Sequence, residues 1–268
     1  MDDKSSIAQM FTIAKYQFLN YIRSKRIFIL LAITVAISVT YSIVMWKHVN
    51  PEYLTSNDYI SRWVSFLSFL IVLASLFFGG DAIAGEYGKK TGYFLFPNPI
   101  KRWSILWGKF LASYLASLIV ILLYWSVAIG ETYIAKKEIA VEVFYSMGLS
   151  FLYLLSVLAL TYLFSSFFKN SAISITITAI IYFFVFNIVN SIAMLTGVEP
   201  WFSITYAGGV IENVLKDPYP PHIQTIGGGG IKITMFNVPL EMGIEIMLGY
   251  FIISALIATF IITYREMK

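Results

Sequence analysis

Six long apolar stretches punctuate the chain, near residues 27–46, 62–80, 104–129, 142–168, 171–195 and 240–264. Each approaches or exceeds the roughly 20 helical residues that cross a hydrocarbon layer of about 30 Å. The stretches are continuously apolar and do not alternate, so they predict helices and not the short two-faced strands of a membrane barrel. Ahead of them, Ile7, Met10, Phe11, Ala14, Phe18, Tyr21 and Ile22 recur at helical spacing, with Gln9, Lys15, Gln17 and Asn20 largely on the other side. That pattern predicts an amphipathic helix over 6–25, with Ser6 and Gln9 as its capping box. The fold class expected is all-α: a polytopic membrane protein of six transmembrane helices behind an N-terminal amphipathic helix.

Composition changes the picture only by closing off alternatives. With 58% hydrophobic and 13% charged residues, 268 residues cannot hide their apolar surface from water, so the solvent must be lipid. Thirteen of the 19 Lys and Arg fall on one side of the six-span topology, the side that also holds both termini. The positive-inside bias therefore predicts cytoplasmic termini in the cell membrane, and the net charge of +4 faces an anionic inner leaflet, not nucleic acid. The first apolar run begins only at Ile27 and lacks a small-residue cleavage site, so it reads as a retained span. Cysteine is absent, which removes disulfides and thiol ligands.

Catalytic patterns are missing. His48 and His222 are the two histidines, both in loops expected outside, and neither a His-Glu-x-x-His nor a Gly-x-Ser-x-Gly motif occurs. The glycine run at 227–230 continues as Ile231-Lys232-Ile233, so it is not a Walker A loop. The span interiors hold almost no Asp, Glu, Lys, Arg or His, whereas ion-coupled carriers usually keep one near mid-membrane. Energy for any transport must then come from another chain.

The chemistry-bearing segment is DAIAGEYGKKTGYFLFPNPIKRWSILWGK, residues 81–109, wedged between the second and third apolar runs. Its glycines and Pro97 and Pro99 predict a short helix and an elbow, and Tyr93 to Phe96 form an apolar patch ringed by Lys89, Lys90, Lys101 and Arg102. Read from residues alone, it is either a basic loop held by lipid headgroups or a docking loop. Asp81 and Glu86 are either solvated carboxylates or members of ion pairs. In the fifth run, Ser174, Thr178, Asn187 and Asn190 make a polar stripe that serves helix packing or lines a pathway. The long loop 196–239 contains a candidate helix at 200–216, followed by a proline- and glycine-rich stretch expected to be irregular.

The order and spacing of Asp81, Glu86, Thr91, Pro99, Arg102, Gly108 and Lys109 resemble the loop of type-2 ABC transporter permeases, with Lys90 where that family usually has glycine. The resemblance implies a type V exporter-like permease subunit. Residues 1–26 would be a cytoplasmic connecting helix, 27–268 the transmembrane domain, 81–103 the coupling loop, and 196–239 an extracytoplasmic loop with short re-entrant helices. It further implies ATPase docking and coupling through Asp81, Glu86, Lys90, Thr91, Phe94, Phe96, Pro99, Arg102 and Lys109, with the two acids pairing with basic residues such as Arg102 or with the N-terminal helix. ATP and Mg would be bound by a separate ABC ATPase subunit, this chain carrying no cofactor, and a second permease copy or a homologous permease would complete a dimer. The expected cargo is hydrophobic or amphipathic, a peptide, lipid or drug moved outward. Competing classes are an ion- or proton-coupled secondary transporter and a non-transporting membrane interaction or immunity protein.

Overall fold

The computed structural model describes residues 3–88, 101–228 and 231–264. Helix α1 (Asp3–Arg23) is followed after one residue by α2 (Lys25–His48), the first span. The second span is assembled from α3 (Ser56–Val64), α4 (Leu67–Gly79) and the short α5 (Ala84–Gly88). The third is α6 (Arg102–Lys136) and the fourth α7 (Glu142–Phe167). The fifth comprises α8 (Ser171–Ile180), a π-turn (Ile181–Val185) and α9 (Phe186–Thr196). Two single-turn helices, α10 (Ile204–Ala207) and α11 (Val210–Asn213), precede a β-hairpin and the sixth span, α12 (Leu240–Tyr264). Six helices among the described residues are thus long and apolar enough to cross a membrane, at the places where the hydrophobic pattern puts them.

Burial divides the spans. The most apolar windows of the second and fourth are 67% and 61% buried, against 22%, 17% and 28% for the first, fifth and sixth, so the former pair forms the interior together with much of α6. Trp63, Trp125, Tyr59, Tyr124, Tyr153, Tyr162 and Tyr182 are the largest enclosed side chains. Buried rings of this kind need partners for their polar tips. Tyr124 donates to the Trp63 carbonyl at 2.8 Å, the Trp125 indole to Ser150 Oγ at 3.1 Å and Tyr182 to the Val157 carbonyl at 2.9 Å. The indole nitrogen of Trp63 finds no such partner.

Helix α1 starts at Asp3, three residues earlier than the sequence predicts, so Ser6 lies inside the helix and caps nothing. Its packed face is Ala14 and Tyr21 with Met10, Ile13 and Gln17, while Ile7, Phe11 and Ile22 stay exposed as a second apolar stripe. The packing depends on Gly108 of α6. A Cβ there would sit 2.7 Å from the Met10 carbonyl oxygen and 2.9 Å from Ile13 Cβ, so only glycine lets the two backbones approach this closely.

The fifth span is re-phased by its π-turn. Ser174, Thr178 and Tyr182 form the buried face of its first half; continued at 3.6 residues per turn, that face would pass to Val185 and Ile192, which are exposed. The one wide turn passes it instead to Phe186, Asn190 and the buried Ala193. Asn187, exposed, donates to the Phe183 carbonyl at 3.0 Å, within the wide turn.

The stretch after 216 corrects the expectation of irregular structure. Strands β1 (Ile223–Gly228) and β2 (Ile231–Phe236) pair antiparallel, with Ile223 opposite Phe236 and Gly228 opposite Ile231. Pro218, Pro220 and Pro221 all fall before the first strand, and the glycines gather at the turn end, so the intervening β-branched residues are free to pair. The candidate helix at 200–216 is instead α10 and α11, separated by Gly208 and Gly209.

Candidate functional site

The helix of the second span fails at Gly79 and resumes at Ala84, and what happens to the backbone groups released there defines the site. Gly79 admits α7 at close range, since a Cβ would lie 2.8 Å from Leu158 Cδ1 and 3.2 Å from Thr161 Cγ2. Buried peptide groups must find partners, and here side chains from four other helices supply them. Tyr21 of α1 and Ser113 of α6 each donate to the Phe78 carbonyl at 2.9 Å, and Ser113 also accepts from Tyr162 of α7 at 2.7 Å. Ser174 of α8 donates to the Gly80 carbonyl at 2.6 Å. Ser165 of α7 accepts from the amides of Ile83 and Ala84, both at 3.1 Å. Lys109 of α6 donates to the Ala82 carbonyl at 3.0 Å. Burial raises the Tyr21 phenol above its ordinary range, against the bond to Ser113, so it stays a neutral donor.

Two ion pairs brace this elbow at 79–84, which is distinct from the turn expected at Pro97 and Pro99, outside the described residues. Arg26, at the start of α2, meets Asp81 in a two-pronged pair with N···O distances of 2.8 and 2.7 Å, the fork geometry that gives a guanidinium its directional hold on a carboxylate. Lys109 is 5% exposed and pairs with Glu86, which retains 19%. A cavity of about 260 Å³ opens between them, lined by Gln17, Asn20, Ser24 and the four charged residues among others.

The residues singled out in the sequence fall into four groups. Asp81, Glu86 and Lys109 meet at the elbow. Arg102 donates to the carbonyls of Ile262 and Thr263, at 3.3 and 3.2 Å, and so ties the start of α6 to the last turn of α12. Lys90, Thr91, Phe94, Phe96 and Pro99 lie outside the described residues. Of the polar stripe, Ser174 is part of the elbow, Thr178 is buried and donates to the Ser174 carbonyl at 2.7 Å, Asn187 serves the π-turn, and Asn190 donates to Thr205 Oγ1 at 2.9 Å. Sequence reasoning missed Tyr21, Arg26, Ser113, Tyr162 and Ser165. Tyr21 counted as one more apolar residue of an amphipathic helix and Arg26 as one more loop charge; hydroxyls inside apolar runs were the signal for the rest.

No group of three or more His, Asp or Glu side chains fit to hold a metal occurs among the described residues. What the arrangement provides is mechanical connection: side chains of α1, α2, α6, α7 and α8 all bond to one short break in the second span. A search of curated proteins finds no match. Residues 11–201, which take in the second half of α1, the elbow and the first five spans, match the family model described as ABC-2 family transporter protein, and the chain therefore belongs to the ABC-2 transporter family as a multi-pass membrane permease.

Proposed function

We propose that this permease is one half of an ATP-driven exporter whose elbow end faces the cytoplasm, where a separate ABC ATPase binds ATP and Mg and moves the 81–103 loop. The observation that carries the reading is the elbow itself: every backbone group named above at the break in the second span is held by a side chain of another helix. Closing of the ATPase pair would push the loop and α1, and the grip on α2, α6, α7 and α8 would convert that push into rocking of the spans. The exposed stripe of Ile7, Phe11 and Ile22 on α1 gives the connecting helix a surface for the ATPase or the inner leaflet.

A second copy of the chain fits against the fifth span. Over residues 248–260 the exposed face of α12 is Leu248, Ile252, Ile253, Leu256, Ile257 and Phe260, as lipid prefers, whereas the fifth span, the least buried of all, exposes Thr176, Asn187 and Ser191. Polar groups on a lipid-facing surface are costly, and a facing protomer relieves that cost. The cargo consistent with walls this apolar is hydrophobic or amphipathic, a peptide, lipid or drug, and the direction is outward. Re-entrant helices α10 and α11 would sit at the exit.

The test is co-purification. Tagged chain solubilised from native membranes should carry a nucleotide-binding subunit, and Phe94→Asp with Phe96→Asp should release it while the spans remain inserted. An ATPase retained by the double variant would remove the loop from the docking surface, and a chain that never carries one would end the reading.

A further inference from the structure

Two cavities abut the turn that joins α10 to α11. One, of about 140 Å³, is lined by Val64, Ser65 and Ser68 at the α3–α4 break, together with Thr205, Gly208 and Gly209. The other, of about 290 Å³, is lined by Asn190 and Met194 of α9, Pro200 and Tyr206, Met235 and Phe236 of β2, and again Thr205 and Gly209. Thr205 and Gly209 are common to the two linings and the remaining walls are disjoint, so residues 205–209 are the partition between a space on the second span and a space on the fifth.

The partition is a single turn of chain held largely by packing, with Ala207 fully buried and Tyr206 donating to Glu199 Oε1 at 2.7 Å. Its two glycines bring the backbone within reach of neighbours that a side chain would hit: a Cβ at Gly208 would lie 3.1 Å from the Tyr153 ring, and one at Gly209 3.1 Å from the Tyr206 carbonyl. Further anchors flank it, where Tyr250 donates to the Phe202 carbonyl at 2.6 Å and Ser146 to the Ile211 carbonyl at 2.6 Å. Between them, the side-chain bond from the fifth span to the partition is Asn190 Nδ2 to Thr205 Oγ1. Asn190 makes that bond at a cost, because its other amide atom, Oδ1, is buried without a partner. A buried amide atom with no partner favours any state in which it is exposed, so the closed partition carries its own bias toward opening.

We propose that residues 205–209 are a gate between these two spaces, latched by Asn190 on Thr205, and that opening joins them into one passage running from the second span past the fifth. The passage would pass an apolar molecule bearing a hydrogen-bond donor, with Met194, Met235 and Phe236 as its walls and the freed Asn190 oxygen as its acceptor. The proposal rests on the reading of the chain as an ATP-driven permease.

The chain has no cysteine, so engineered pairs are unambiguous. In the assembled complex, Asn190→Cys with Thr205→Cys is bridged by a short, reducible bis-methanethiosulfonate reagent, the link is verified by mass, and ATP turnover is read. Bridging should cut turnover to background and reductant should restore it, while the single Thr205→Val variant, which unlatches without tethering and leaves Asn190 in place, should keep turning over. Full turnover by the bridged complex overturns the gate, failure of the pair to bridge overturns the contact on which it rests, and loss of turnover in Thr205→Val overturns the latch role. A parent complex with no ATP turnover would instead fail the permease reading itself, before any cysteine is introduced.

Discussion

Lys109 is the residue on which the elbow depends most, because its ammonium is nearly out of water and has two acceptors, the Glu86 carboxylate and the Ala82 carbonyl. Removing one partner of a buried ion pair leaves the other charge uncompensated and costs about 3–5 kcal/mol, whereas replacing both by apolar groups is often near neutral. Glu86→Gln should therefore destabilise by up to ~3 kcal/mol, the low end because Glu86 keeps some water, and Glu86→Leu with Lys109→Met should recover most of that. Thermal unfolding in detergent measures both. The informative readout is ATP turnover of the complex: the double variant should regain stability without regaining turnover, and a double variant that regains both would reduce the pair to scaffolding. Asp81, Glu86 and Lys109 were legible in the sequence because charge next to an apolar run has few uses. Their partners were not: Arg26 is 55 positions from Asp81 along the chain, and neither spacing nor composition pairs residues that far apart.

At the scale of elements, two devices fix geometry that hydropathy does not encode. Gly108 permits α1 to lie on α6, so Gly108→Leu, pressed against the Met10 backbone, should lift α1 off the bundle and expose it to protease while the spans stay inserted. An α1 as protected as in the parent would show that the contact with α6 accommodates a side chain at 108 and does not depend on the glycine. The π-turn is the counterpart in the fifth span. Because a π-turn amounts to one extra residue in an α-helix, deleting Phe184 should leave Phe186, Asn190 and Ala193 on the packed face and be tolerated, whereas deleting Ile253 from α12 should turn the following residues by about 100° and abolish folding. Comparable melting temperatures for the two deletions would contradict the re-phasing. The apolar run at 171–195 was plain in the sequence, but its phase was not: Thr178 and Asn187 stand nine residues apart, and a single wide turn decides which of them is buried. The hairpin was hidden for another reason. Its prolines and glycines weigh against strands when counted over the whole stretch and favour one when their positions are read, ahead of β1 and at the turn.

Across the whole molecule, hydropathy marked out the six spans because lipid imposes on each the same requirement, about 20 apolar residues with internal hydrogen bonds, whatever the neighbours are. Hydropathy is silent on which spans face each other, and there the contrast between interior and peripheral helices is the new information. The first, fifth and sixth spans are nearly bare in the single chain, and the polar residues on the fifth distinguish it from the sixth. Interhelical hydrogen bonds in membranes are worth about 0.6 kcal/mol on average, so Asn187→Leu alone should weaken a dimer through this face only modestly. Asn187→Trp adds bulk where a facing helix would lie and should shift dimer to monomer in native mass spectrometry, with the monomer's melting temperature little changed because Asn187 is exposed within the chain and gives up its bond to the Phe183 carbonyl. The matching substitution on the sixth span, Ile253→Trp, meets lipid and should leave the dimer intact. If Ile253→Trp dissociates the dimer and Asn187→Trp does not, the two peripheral faces exchange roles, and the polar stripe of the fifth span serves only its own π-turn.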